Sequence, residues 1–299
     1  MNQEFISKGA HVKNRNVHLS ISIILLILIG CTLTPPEKKE IKFVYQFEKG
    51  KVYNYNTSME NTTSGQMMGQ EFTVTSNTNF DYSISPVAID TGIYTLTATF
   101  NRFELKINMP MMGFIDSVIV MKEYIGKRVK IMMSDRGKTL NVEPIDTIAP
   151  SRLQMIANLT PSELFRHIVL EVPDKVLDTS VTWKMDVPDT TLRNGIKMVT
   201  KNNIDFKVVG REKKNDFDCW KISIKGTTSI EGSGSQRGNE ITIDGNTTIS
   251  GFGYLAQKEG LFVSSEQTND VDMTTTINGA QTGASTMAIK TKMKTELVK

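Results

Sequence analysis

The sequence predicts a mainly β protein: two related, curled antiparallel sheets, half-barrel or sandwich-like, with a short helical segment between them. Three observations predict this fold. Apolar and polar residues alternate with period two through most of the chain, the outward positions are mostly Thr, Ser, Asn and Lys, and one segment alone departs from the alternation. Such alternation is typical of strands with one wet face, which occur in antiparallel sheets.

Residues 1–30 are predicted to be a lipoprotein signal peptide. The apolar run Leu19–Ile29 follows a flank that carries Lys13 and Arg15. A membrane-spanning helix needs roughly 20 apolar residues, and this run is about half as long, which suits a signal core. Because the run ends in Leu28-Ile29-Gly30 directly before Cys31, as in a bacterial lipoprotein signal, the sequence predicts cleavage there, with acylated Cys31 as the membrane anchor.

The mature chain that remains is close to neutral, so no nucleic-acid partner is expected. Cys219 would be its one free cysteine, which excludes an internal disulfide, and its place beside Trp220 predicts a small buried residue. His167 would be its single histidine, which excludes histidine-rich zinc sites. With no nucleophile, base and orienting group in view, no enzyme activity, metal or cofactor is expected.

Residues 31–40 contain two adjacent prolines and are predicted to be a short polar tether. Residues 41–150 are predicted to be an N-terminal β half. In it the apolar phase slips by one residue at Asn101-Arg102, which predicts a β-bulge. Its predicted strands centre on Tyr53–Tyr55, Phe80–Ile84, Tyr94–Phe100, Phe103–Met109 and Val129–Ile131.

Residues 151–172 are predicted to be a helical connector. Thr160-Pro161-Ser162-Glu163 has the form of a capping box with proline at the first helical position. Leu164, Phe165 and Ile168 would then share one helical face.

Residues 173–299 are predicted to be a C-terminal β half, and three anchors suggest that it repeats the first half. The offset between paired anchors decreases slowly, from 130 to 126 to 123 residues, as small deletions would produce, so the sequence predicts an internal duplication. The pairs are Tyr53 with Trp183, Tyr94 with Trp220, and Gly137 with Gly260. The predicted strands of this half centre on Val181–Trp183, Ile204–Phe206, Trp220–Ile224, Ile241–Ile243, Val271–Met273 and Met287–Leu297.

The balance of strands and helix has a consequence for function. Many strands each carry one apolar face, whereas a single helical segment cannot cover that surface. The strands must therefore curl or pack against one another. Sheets of this kind often leave an apolar concavity, so the sequence predicts an apolar cavity for a hydrophobic ligand.

Several stretches resemble a known family. The resemblance is to uncharacterised outer-membrane lipoproteins of Bacteroidota-type bacteria. It is carried by the lipobox, the end of the lipoprotein signal at Cys31, and by the segments Tyr45–Tyr53, Met67–Gln70 and Val172–Lys175. That family is a domain of unknown function, so the resemblance implies an envelope lipoprotein and transfers no catalytic residue. At the level of fold, the expected curled sheets resemble lipoprotein carriers and lipid-binding lipoproteins, an analogy that does not establish function.

Candidate sites other than Cys31 each have an ordinary alternative. Methionine clusters suit copper(I), an acyl chain or irregular core packing. Acidic pairs suit calcium or acid–base work, but their spacing favours solvated surface. Three triplets resemble O-glycosylation acceptors. In chain order the clusters are Met67-Met68, Met109–Met112 and Met132-Met133; the pairs are Asp186 with Asp189 and Asp270 with Asp272; the triplets begin at Asp116, Asp146 and Asp189.

The sequence thus predicts a non-enzymatic envelope lipoprotein, anchored through acylated Cys31 in the outer membrane and facing the periplasm. It would bind a hydrophobic ligand, either a lipid or a lipoprotein, or a partner protein. The alternative is a structural or assembly lipoprotein without a small-molecule site.

Overall fold

The computed structural model describes residues 42–67, 69–148, 160–166, 168–185, 188–193, 195–236, 238–279 and 282–298. All of them belong to the compact unit Lys42–Lys299. The predicted signal peptide, Cys31, the tether, the first part of the predicted connector and His167 lie outside the described residues.

Most of the described structure is β-strand. The strands are β1 (Tyr53–Met67), β2 (Gln70–Asp90), β3 (Ile93–Met109), β4 (Phe114–Val120), β5 (Arg128–Ser134), β6 (Thr139–Pro144), β7 (Thr182–Met185), β8 (Asp189–Arg193), β9 (Ile196–Lys214), β10 (Phe217–Gln236), β11 (Asn239–Ala256), β12 (Leu261–Asn278) and β13 (Gly283–Val298). They form one 13-stranded antiparallel sheet in the order β6-β5-β3-β2-β1-β13-β12-β11-β10-β9-β7, with β4 beside β3 and β8 beside β9.

The alternation in sequence specifies these strands well. Each strand centre predicted from period two falls within or directly beside a strand of the sheet. The predicted bulge is also confirmed: Arg102 lies opposite Asp81 and Phe100 lies opposite Tyr82, so Asn101 is the extra residue. Because of this bulge, Phe100 and Phe103 both point into the core, where neither is exposed.

The prediction of two separate sheets is wrong. The C-terminal strand β13 pairs with β12 on one side and with β1 on the other, from Asn54 opposite Val298 to Met67 opposite Ser285. Strand β13 is therefore paired along both of its edges, and it joins the strands of the two halves into one continuous sheet. In the described part, β6 and β7 end the main path of the sheet and do not pair with each other, so the sheet is not closed.

The predicted helical connector over 151–172 is not supported. Its described part contains a single four-residue turn, Pro161–Leu164. Later in the connector, main-chain N–H and C=O groups form hydrogen bonds with other parts of the chain and not with one another as they would in a helix. The Glu171 carbonyl accepts from Trp183 Nε1 at 3.0 Å, and the Val172 N–H donates at 2.9 Å to the turn between β5 and β6. No helix in the described residues is long and apolar enough to cross a membrane.

The residues that suggested a duplication lie at comparable places in the sheet. Tyr94 and Trp220 lie near the starts of β3 and β10. Gly137 and Gly260 each lie in the turn between two paired strands, β5–β6 and β11–β12. The duplication itself stays a prediction.

One face of the sheet bears the buried core, and we call it the core face. Phe165 of the connector packs there against Tyr82 and Phe100, with ring centroids 5.2 and 5.0 Å away. Phe100 also meets the edge of Tyr124 at 5.4 Å. These side chains are all buried, so this end of the core face is a filled aromatic core.

A second extended segment, residues 42–48, crosses the same end of the core; we call it the strap. The Tyr45 N–H donates to the Asp135 carbonyl at 2.8 Å, and the Gln46 N–H donates to the Gly260 carbonyl at 2.9 Å. The strap is therefore bonded to the β5–β6 turn of the first half and to the β11–β12 turn of the second.

Both turns use glycine where the strap approaches. Gly137 has φ +84°, and a β-carbon there would lie 2.7 Å from the Tyr45 ring and 2.5 Å from the Leu170 carbonyl oxygen. Gly50 has nearly the same φ, +85°, with nothing within 4 Å. It is thus a control with the same backbone strain and no crowding.

We expect Gly137→Ala to lower the free energy of unfolding by about 1–2 kcal/mol for the left-handed backbone and by about 1–3 kcal/mol more for the clash. Gly50→Ala should show the backbone cost alone. Urea denaturation of both variants measures the difference. Equal losses in the two variants would show that the strap does not need this close approach.

Candidate functional site

The strap and the connector cover only part of the core face. The long strands continue beyond the strap and the connector, toward the hairpin tips at residues 67–70, 236–239 and 278–283. There the core-facing side chains change from buried to half-buried. We call this region the open face. Its apolar residues are Met59, Phe72, Val74, Ile196, Met198, Ile230, Ile241, Ile243, Val271, Met273, Ile277, Met287, Ile289 and Met293.

Strand register brings these residues together from distant parts of the chain. Met273 lies opposite Met287, and Val271 lies opposite Ile289. Phe72 lies opposite Gly65, and a β-carbon at Gly65 would be 3.1 Å from the Phe72 ring. These side chains therefore lie over neighbouring glycines and form an apolar surface in which small polar residues, such as Thr63 and Ser285, are interspersed.

Methionine is prominent on the open face. Met59 lies opposite Met293 in addition to the Met273–Met287 pair. Met198 approaches the position of a β-carbon on Gly232 at 2.8 Å. Thioether side chains are flexible and polarizable, so such a surface can adapt to hydrocarbon of varied shape.

Charge is segregated to the opposite face. Within the described stretches of β1, β2 and β9–β13 that form the open face, no core-facing position carries Asp, Glu, Lys, Arg or His. The neighbouring outward positions do: Asp270, Asp272 and Lys290 are exposed, and Lys290 pairs with Asp270 at 3.7 Å. The predicted solvated placement of Asp270 and Asp272 is therefore confirmed.

A polar row crosses the core face between the aromatic core and most of the open face, and only the Met59–Met293 pair lies on its inner side. Asn269, Thr291, Asn61 and Ser76 lie side by side on β12, β13, β1 and β2. Thr291 Oγ1 donates to Asn61 Oδ1 at 2.7 Å. The Oδ1 atom of Asn269 is buried and has no hydrogen-bond partner among the described residues.

The apolar cavity expected from the sequence does not lie beside the buried aromatic residues, because side chains of the strap and the connector fill that region. Two surface hollows of about 510 Å³ each are lined mainly by outward-facing polar residues. One includes Asp244 and Asp272, and the other includes Glu60 and Lys292. The apolar side chains of the open face are instead half-buried, so part of their surface is accessible.

The residues singled out from sequence are not brought into one site. Met132 and Met133 point to opposite faces of β5, and Met133 is fully buried. Among the described residues no group of three or more His, Cys, Asp or Glu could hold a metal. Asp186 and Met68 lie outside the described residues, and nothing is described of the Met67, Met112 and Asp189 side chains.

Cys219 is buried, as predicted, with 1% of its surface exposed. Burial raises the pKa of its thiol to about 11, so the thiolate needed for nucleophilic chemistry is scarce at neutral pH.

Sequence reasoning missed the open face because its residues come from seven strands. The signal was present as alternation of Ile, Met and Val with Thr, Asn and Gly in the half of each long strand that lies nearer the hairpin tips. Only the register shows that these half-strands are neighbours.

No protein-family model matches the chain, and no curated protein matches it. Among solved structures it is similar to one of lipovitellin, described as showing lipid–protein interactions, with 11% identity and a TM-score of 0.42 over 85% of this chain. The chain spans about a quarter of the lipovitellin chain, 26%.

Two bacterial structures are also similar. One is a DUF1329 family protein from Desulfovibrio piger ATCC 29098, with 11% identity, a TM-score of 0.20 and coverage of 79% of this chain and 83% of that one. The other is the COG4313 outer membrane channel from Pseudomonas putida F1, with 9% identity, a TM-score of 0.23 and coverage of 84% and 97%. At these TM-scores the likenesses decide neither fold nor function.

Proposed function

We propose that this protein is a non-enzymatic lipoprotein of the cell envelope, anchored through acylated Cys31, that binds the acyl chain of a lipid on its open face. The observation that carries the proposal is the open face itself, an apolar surface made by seven strands whose described core-facing positions carry no ionisable side chain.

Charge complementarity favours hydrocarbon as the occupant. Protein interfaces place a polar, partly charged rim around an apolar centre. In the described strands that form the open face, the charged residues lie at the outward positions, on the opposite side of the sheet. A surface without ionisable groups matches an uncharged chain, and it also supplies no acid or base for catalysis.

Anchoring is the part of the proposal that rests on the signal sequence alone. Two or more acyl chains hold a protein stably at a bilayer, and Cys31 would carry them. We expect Cys31→Ala to move the protein from the membrane fraction to the soluble fraction, or to leave an uncleaved precursor. Cell fractionation with mass measurement checks this, with Cys219→Ala as the matched control, and a membrane-bound, normally processed Cys31→Ala protein would contradict acylation.

Native mass spectrometry of the full chain, purified in a mild non-ionic detergent, tests binding. Besides the mass of the anchored lipid, we expect a second, non-covalent adduct with the mass of a cellular lipid. A spectrum that shows only the acylated protein, even after lipid is added back, would remove the binding role.

A structural or assembly role is the second candidate, and the edge strand β4 favours it. Ile115 and Val118 on this strand are 70% and 57% exposed. An exposed apolar edge is a surface on which a partner's strand can pair. A protein partner retained without any lipid would support this role instead.

A further inference from the structure

The polar row lies at the inner end of the open face, and its uncharged groups suggest what kind of lipid the protein takes. The row separates the aromatic core from Val271, Met273 and the other apolar residues nearer the hairpin tips. A lipid whose chain lies on the open face would place its polar end at this row or at the tips.

Hydrogen bonding within the row leaves one acceptor unused. Thr291 Oγ1 donates to Asn61 Oδ1 at 2.7 Å, and Asn61 Nδ2 lies 3.5 Å from Ser76 Oγ. The next residue across the sheet, Asn269, keeps a buried Oδ1 without a partner among the described residues. A buried acceptor without a donor costs free energy, so a donor supplied by a ligand would be favoured there.

We propose that Asn269 recognises the headgroup of an uncharged amphiphile. A hydroxyl or amide N–H of the ligand donates to Asn269 Oδ1, and its acyl chain runs over the open face toward the hairpin tips. This inference rests on the proposed function. From Asn269 to Ile277, β12 gives the chain a path of roughly 26 Å, at about 3.3 Å per residue.

The described core-facing positions of the open face carry no charge, and this argues against an anionic headgroup. A carboxylate or phosphate moved out of water needs a cation or several hydrogen-bond donors as partners. The described row offers amides and hydroxyls, and the lysines of β13 point to the opposite face.

Three probes with the same palmitoyl chain test the inference: monopalmitoylglycerol, methyl palmitate and palmitate. Each is titrated into the full chain in non-ionic detergent, and the bound fraction is read by native mass spectrometry. Monopalmitoylglycerol should bind about tenfold more tightly than methyl palmitate, the effect of one buried hydrogen bond. Palmitate should bind most weakly.

Asn269→Leu should remove the tenfold preference and leave the affinity for methyl palmitate unchanged. Asn246→Leu is the matched control, because Asn246 is exposed on the opposite face and its variant should keep the preference. Asn269→Leu should fold normally, since replacing an unpaired buried polar group by an apolar one is not costly. Asn269→Ala is the second variant should Leu disturb packing, and it should also lose the preference because alanine has no hydrogen-bond acceptor in its side chain.

The outcomes separate the two proposals. If none of the probes binds, the proposed function itself fails. If all three bind equally, or if the preference survives in Asn269→Leu and Asn269→Ala, the headgroup inference is overturned and acyl-chain binding stands.

Discussion

Tyr45→Ala is expected to lower the free energy of unfolding by about 4 kcal/mol, the range for truncating a fully buried aromatic side chain. Tyr45 is the centre of the strap. Its ring packs edge-on to Phe43 at 5.2 Å and stacks with Phe47 at 6.0 Å, and its hydroxyl donates to the Leu170 carbonyl at 2.7 Å. Because the strap is also hydrogen-bonded to turns of both halves, the loss of stability should extend to the whole sheet.

Tyr45→Phe keeps the ring and removes the hydroxyl alone, so it should cost about 1 kcal/mol. Burial raises the pKa of the Tyr45 phenol well above its ordinary value, so neither cost should change between pH 6 and about pH 9. Guanidinium denaturation of both variants measures the losses. A loss below about 1 kcal/mol in Tyr45→Ala would mean that the strap is dispensable for the fold.

Ile289→Glu is expected to weaken lipid binding at least about 100-fold, because an unpaired carboxylate removed from water costs several kcal/mol. Ile289 is half-buried at the middle of the open face, opposite Val271 on β12 and Thr63 on β1. No described core-facing residue of these strands offers a cation to the new carboxylate. Lipid titration followed by native mass spectrometry measures the change.

The chain offers a matched control one residue away. Ala288 is exposed on the opposite face of the same strand, so Ala288→Glu adds the same charge without touching the open face. It should bind lipid like the unmodified protein. Equal loss in both variants would point to a general effect of charge, and no loss in Ile289→Glu would place the lipid elsewhere.

The strands and the bulge could be predicted from sequence because both are local consequences of the pleat. Side chains alternate every residue, so one extra residue at Asn101 shifts the apolar phase visibly. The short strands β4, β6 and β8 were not predicted, and β4 is interrupted by Asp116 at φ +42°.

The joining of the halves and the open face could not be predicted in the same way. Both depend on register between residues far apart in sequence, such as Met59 opposite Met293. The helical connector was predicted wrongly because a local capping pattern does not hold a helix beyond its first turn, and the described part forms only the turn Pro161–Leu164. Bonds from Trp183 and from the β5–β6 turn hold the later part of that segment in an extended form.

Photo-crosslinking of the full chain in living cells tests most directly whether the open face holds hydrocarbon. A photoreactive amino acid is placed at residue 289 in one strain and at residue 288 in another, and the peptides that contain these residues are analysed by mass spectrometry. Lipid masses should appear on the peptide with the probe at 289 and be absent with the probe at 288. Lipid adducts at equal levels in both strains, or protein adducts alone at 289, would contradict acyl-chain binding at this surface.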